Sequence, residues 1–326
     1  MLNRKSNPDR SGENRKLTVL VTAGPTIEDL DPVRFISNRA TGKLGVEIAR
    51  AALEAGCRVI LIHGPLQDKV RRAIPSSKHL ACVPVRSAAE MRAAVLRHLA
   101  AAQMVVMNAA VADYTPARKS RTKLKKSRQA LLLRLKPTVD ILAELGELKR
   151  RRRKDLVLIG FALETGTGAT AQQRRKSRLA EARRKLEAKN LDAIVLDTPA
   201  AMGAEKSEFT VVIRNGAGRL FSNTSKARFA RFVAKLGRSI WAVKGLLGCC
   251  AELDPLMIKL ARSIRAVWHR HKNETERRKV MQAADELERF SRDSLRVSRA
   301  SPKRRLRLWR SWERRWKSLE RKQISS

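Results

Sequence analysis

Along the chain, short runs of consecutive apolar residues alternate with longer stretches in which apolar residues return every third or fourth position. The runs are residues 17–22 (LTVLVT), 58–63 (RVILIH), 104–108 (MVVMN), 156–161 (LVLIGF) and 193–196 (AIVL), the first mostly β-branched and all too short for helices. Residues 43–55 carry helical spacing and stop at Gly56, and helical segments near 87–102, 138–150 and 170–189 separate most of the later runs. A strand that is apolar throughout is covered on both faces, and strands joined through helices lie parallel. The pattern predicts an α/β fold, a Rossmann-like, mostly parallel sheet with helices on both faces. Two segments break the alternation, 123–135 (KLKKSRQALLLRL) and 209–221 (FTVVIRNGAGRLF). Each reads as two strands about a polar turn, the second with Asn215-Gly216 at its tip, and predicts a β-hairpin added to the sheet.

The periodicity also sets boundaries. Residues 1–16 are charged and aperiodic, a disordered leader. Past Arg238 the strand patterns vanish, and all five tryptophans, Trp241, Trp268, Trp309, Trp312 and Trp316, lie beyond it. We therefore expect a main domain over 17–239 and an α-helical C-terminal extension over 240–326. Asp254-Pro255 is a helix start, with Leu256, Leu260, Ile264 and Val267 following on one face. Trp309, Trp312, Trp316 and Leu319 form a narrow apolar seam. These helices are expected to pack on the main domain or on another copy of the chain, in preference to binding nucleic acid. No internal repeat is present.

Charge changes the picture more than composition does. The 326 residues hold 71 Lys+Arg against 31 Asp+Glu, a net charge of +40, which favours phosphate-bearing partners and says nothing about fold. The extension contributes 23 basic and 10 acidic residues, so the excess is spread over both parts. With 43% hydrophobic residues, 16 Gly and 11 Pro, a collagenous or wholly disordered chain is excluded. Cys57, Cys82, Cys249 and Cys250 show no CxxC pair and no zinc spacing, which fits a reducing compartment. The N-terminus lacks the apolar core of a signal peptide and no stretch approaches 18 apolar residues, so a cytoplasmic protein with no membrane association is expected.

Candidate chemistry gathers where the strands end. Between the first strand and first helix run Gly24-Pro25-Thr26, Asn38 and Thr41-Gly42-Lys43-Leu44-Gly45. Gly42 and Gly45 let backbone N–H groups approach an anion at a helix start, yet equally fit a simple turn, and the spacing is neither a Walker loop nor GxGxxG. Asn38 is an amide at the mouth of that loop, a ligand contact or a turn residue. Asn108, Ala109, Ala110 and Asp113 follow the 104–108 run, small enough for a ligand to lie on the backbone, with Asp113 suited to a hydroxyl, a magnesium ion or a cap. Lys123 opens a KLKK run that could reach a triphosphate or form a solvated face. Phe161 is a base-stacking or core residue, and Lys185 and Lys189 share a helix face that could grip phosphates.

In their order, TAGPTIEDLDPVRFISN, TGKLG, AAVADYTP, KLKK, PTVDIL, GFALET and KLEAKNLDAIV resemble the phosphopantothenoylcysteine synthetase family across about residues 17–239. The resemblance implies a ligase of coenzyme A biosynthesis that activates 4'-phosphopantothenate with CTP or ATP and Mg2+, then passes the acyl group to L-cysteine. Such chemistry needs positioning and charge stabilisation rather than an enzyme nucleophile. It implies Asn38 at the acyl intermediate, Gly42 and Gly45 at the anion loop, and Ala109, Ala110 and Asp113 along the nucleotide and pantothenate crevice. By the same resemblance Asn108 joins the nucleotide site, Lys123 stabilises acyl transfer, and Val139, Asp140, Ile141 and Leu142 read the base. Phe161 would pack on the nucleotide, and Lys185 and Lys189 would hold the triphosphate; no metal ligand is assigned. The hairpins would serve a homodimer contact. Arg39-Ala40-Thr41 in place of serines, Val139 for a proline and Asp197 for an asparagine depart from the family pattern. A separate decarboxylase is expected, since about 16 residues precede the first strand. The rival readings are a nucleic-acid-binding protein on a Rossmann-like scaffold and a degenerate synthetase.

Overall fold

The structure, a computed structural model, describes residues 16–126, 130–164, 166–198, 204–214 and 218–249. Most of the leader, the Asn215-Gly216 turn, and the Asp254 and tryptophan segments of the extension lie outside the described residues. The chain divides into two units after Trp241, and the elements below belong to the first unit, save the last turns of its final helix.

An eight-stranded sheet forms the centre. Its parallel part comprises β1 (Thr18–Ala23), β4 (Arg58–His63), β5 (Leu80–Pro84), β6 (Met104–Met107), β9 (Val157–Leu163) and β10 (Ala193–Asp197). Two small ribbons lie apart from it, β2 (Ile27–Asp29) with β3 (Phe35–Ser37), and β7 (Tyr114–Pro116) with β8 (Leu135–Pro137). The antiparallel hairpin β11 (Lys206–Ile213) and β12 (Gly218–Ser225) extends one edge through β10, Phe209 facing Phe221 in the register. The full order is β12-β11-β10-β9-β6-β1-β4-β5. The chain runs outward from β1 to β5, then returns to β6 on the other side of β1, so the strand order reverses between β1 and β6.

The helices are α1 (Lys43–Glu54), α2 (Asp68–Arg72), α3 (Ala88–His98), α4 (Ile141–Arg151), α5 (Ala171–Ala188) and α6 (Lys226–Cys249). Alternate residues of each strand meet different layers. Val19 and Val21 join a core with Val46 and Ile48 of α1 and Phe229 and Val233 of α6. Leu20 and Ile62 join the opposite core with Met91 and Val95 of α3, Leu145 of α4 and Leu186 of α5. Both faces are therefore covered, which explains the continuous apolar runs. Phe209 stacks on Phe229 with ring centroids 3.9 Å apart, fixing the added hairpin to α6.

One expected element is corrected. Residues 123–135 do not form a hairpin on the main sheet: the strand pair is β7 with β8, and Lys123–Lys126 carry no strand pairing. That stretch offers no face to bury, since Leu131, Leu132 and Leu133 are 58%, 92% and 42% exposed.

Candidate functional site

Where β1 and β6 part at their carboxyl ends, the loops that follow are knitted together. Thr26 N–H donates to the Ala110 carbonyl at 3.2 Å and Ala110 N–H to the Gly24 carbonyl at 2.9 Å. Two buried hydroxyls shape this turn. Thr22 Oγ1 accepts from the amides of Asn108 and Ala109, both at 3.1 Å, and Thr26 Oγ1 from Ala112 N–H at 2.9 Å. The result is a cleft of about 560 Å3 at the topological switch point, the usual binding place of an open α/β sheet.

The cleft gathers most of the candidates. Asn38, Gly42, Asn108, Ala109, Ala110 and Asp113 line it beside β1 and β6; Val139, Asp140, Ile141 and Leu142 line it at the start of α4. Phe161 from β9 and Lys185 and Lys189 from the end of α5 complete the set. Asn38 Nδ2 donates to the Ala110 carbonyl at 3.0 Å, and its Oδ1 makes no hydrogen bond among the described residues. Gly42 caps α1 with φ of 79°, in the left-handed region, and a Cβ there would lie 2.2 Å from Leu66 Cδ2. Asp140 caps α4 by accepting from Ala143 N–H at 2.9 Å.

Two candidates fall elsewhere. Gly45 does not line the cleft; it lies in the first turn of α1 against β1, where a Cβ would come 2.5 Å from Ala23 Cβ and 3.1 Å from Asn108 Oδ1. Its part is close packing beneath the site. Lys123 does not line the cleft of its own chain either. Its segment is anchored instead by Asp31, which sequence reasoning passed over. Asp31 accepts from Val33 and Arg34 amides at 2.8 Å each, from Leu124 N–H at 3.1 Å and from the Arg34 guanidinium at 2.6 Å, while Arg34 also donates to the Leu124 carbonyl. The Arg34 guanidinium and these amides hold the Asp31 carboxyl well below the usual carboxylate range.

Charge in the cleft is largely paired. Lys185 pairs with Glu164, and Lys189 with Asp140 at 2.6 Å. Lys43, also a lining residue, pairs with Glu205, which keeps Glu205 below its ordinary range. Asp140 is pushed up by burial but held below the ordinary range overall by Lys189 and the amides of Ala143 and Leu142. Asp197 and Lys226, neither among the candidates for a site role, line the cleft together. Burial pushes the Asp197 carboxyl up to about 6, opposed by the Thr198 amide and by the charge of Lys226, while burial pulls the Lys226 ammonium down.

Residues 14–239 match the model of the DNA/pantothenate metabolism flavoprotein C-terminal domain. The chain belongs to this family, the phosphopantothenoylcysteine synthetase domain. Among relatives of this synthetase domain, the coenzyme A biosynthesis bifunctional protein CoaBC of Bacillus subtilis is 43% identical over 213 residues, 64% of this chain and 48% of that protein. The protein of the same name from Thermococcus kodakarensis is 34% identical over 219 residues, 67% of this chain and 49% of its own. The chain thus spans about half the length of the curated relatives it matches. The crystal structure of the C-terminal domain of a CoaBC protein superposes with a TM-score of 0.54 at 32% identity, covering 72% of this chain and 99% of that one. The synthetase-domain match extends over every strand and helix described up to the middle of α6. No helix among the described residues is long and apolar enough to cross a membrane.

Proposed function

We propose that the chain is a phosphopantothenate–cysteine ligase of coenzyme A biosynthesis, acting in the cytoplasm on 4'-phosphopantothenate, L-cysteine and a nucleoside triphosphate, CTP or ATP. The observation that carries this is the convergence of Asn38, the 108–113 turn, the start of α4, Phe161, Lys185 and Lys189 on one cleft at the switch point.

The reaction has two steps. The pantothenate carboxylate attacks the α-phosphorus of the nucleotide and pyrophosphate leaves; the cysteine amine then attacks the acyl carbon and the nucleoside monophosphate leaves. Asn38, steadied by the Ala110 carbonyl, turns its amide oxygen to the acyl intermediate, and Ala109 and Ala110 let the chain of the substrate lie against the backbone. Lys185 and Lys189 take the phosphates, Phe161 flanks the base, and Val139–Leu142 border it. Lys123 reaches an acyl-transfer site in a homodimer, from one protomer to its partner.

Mg2+, when bound, neutralises phosphate charge and orients the attacked phosphorus. Asp113, Asp140 and Asp197 line the cleft, but among the described residues no three acidic, His or Cys side chains come together as ligands. That donor set fits an ion arriving with the triphosphate better than one held by the protein alone. The product passes to a phosphopantothenoylcysteine decarboxylase.

Pyrophosphate release by the full chain with phosphopantothenate and Mg2+, comparing CTP with ATP, each with and without L-cysteine, tests the reading. Release that needs phosphopantothenate, with the amide forming only when cysteine is added, is the expected outcome. A folded protein inert with both nucleotides would refute it.

A further inference from the structure

Both lysines at the end of α5 that line the cleft are held by carboxylates: Lys185 by Glu164, just past β9, with Glu181 of α5 farther off at 3.6 Å, and Lys189 by Asp140 at 2.6 Å. The Lys185 and Glu164 side chains keep only 28% and 21% of their surface, so this pair is sheltered from solvent screening. Arg150 and Glu147 offer a contrast within the same protein, an exposed pair on α4 outside the cleft.

A site in which the lysines already have counterions treats a triphosphate differently from one with bare ammonium groups. Metal-free nucleotide brings a charge of about −4, must displace both carboxylates and leaves them beside its own oxygens, where like charges repel. The divalent-cation complex brings about −2 and a cation that the displaced carboxylates can face, as is usual for Mg2+ held by one or two carboxylates and phosphates. We propose that Glu164 and Asp140 are specificity determinants of the nucleotide site: by engaging Lys185 and Lys189 they select the metal complex of the triphosphate against its metal-free form. The proposal rests on the reading that the cleft takes a nucleoside triphosphate.

The test is equilibrium binding by calorimetry to the full chain, with CTP and with ATP, in excess Mg2+ and in EDTA. Glu164→Gln is expected to tighten metal-free binding about tenfold while leaving the Mg2+ complex within about threefold, collapsing the preference. Asp140→Asn, which keeps an N-cap acceptor for Ala143, is expected to move in the same direction, and the double variant further. Glu147→Gln removes a charge of the same sign from an exposed pair outside the cleft and is expected to change metal-free binding less than twofold. Unchanged or weaker metal-free binding by Glu164→Gln, in a background where the wild type binds the Mg2+ complex, overturns the proposal. So does an equal gain from Glu147→Gln, since net charge would then suffice. Failure of the wild type to bind either nucleotide with Mg2+ overturns the functional reading instead.

Discussion

Asp197 carries its charge at a cost. Burial raises its carboxyl to about 6 in the folded chain, whereas an unfolded aspartate ionises near about 3.9. Between those values the folded state binds the proton more tightly, so stability falls as pH rises through the window and the deficit persists above it. Asp197→Asn is expected to raise stability by about 1–2 kcal/mol near neutral pH and by nothing measurable below about pH 4. Lys226 limits the gain, because it loses the neighbouring charge that opposes its own depression. Urea unfolding at the two pH values checks this, and an equal gain at both would contradict it. The residues around the site were legible where their neighbours in sequence named them: Asn38, Asp113 and Asp140 end up in one cleft. Thr22, Thr26 and Asp31 were not, because their distant partners lie 86 to 93 positions away, from Thr22 to Asn108 and Asp31 to Leu124. Nothing local in the sequence marks a threonine as the acceptor for a distant turn.

Among the elements, the junction of the added hairpin with α6 makes the sharpest claim. Phe209 and Phe229 are fully buried and stacked, and Phe221 and Phe232 pack around them. Phe229→Ala is expected to cost about 3–5 kcal/mol, read as a lowered urea midpoint. A second test lies between α4 and β10, where buried Lys149 donates to Asp192 and to the Asn190 carbonyl, both at 2.8 Å. Lys149→Ala strands a buried carboxylate, and a loss of about 3 kcal/mol is expected. Strands buried on both faces, such as β1 and β6, were visible as unbroken apolar runs. The edge strand β5, LACVP, was not, because its residues are mostly exposed or half-buried and so leave no run to see. The first hairpin was misplaced for a related reason: β7 and β8 are three residues each, with two of six positions proline, and offer little pattern.

For the whole molecule, the net charge of +40 sets up a field that would draw the anionic substrates of the proposed reaction. Raising salt from about 0.05 to 0.3 M is expected to lower kcat/KM several-fold with kcat nearly constant, since screening acts on encounter rather than on paired groups inside the cleft. Steady-state kinetics at several ionic strengths with a fixed Mg2+ concentration would show it; a fall confined to kcat would argue against steering. The charge itself was plain from the sequence, whereas its pairing within the cleft needed the fold to bring Glu164 to Lys185 and Asp140 to Lys189. The order of the sheet has a consequence for the chain as it is made. β1 emerges first but lies between β4 and β6, and the cleft beside it is bounded as well by Asp197 and Lys226. During synthesis β1 therefore waits, with half a crevice beside it, until some 200 further residues, through Lys226, have left the ribosome. A chain that stops short of Lys226 leaves the cleft unfinished, so ligand can rescue only copies made past that point.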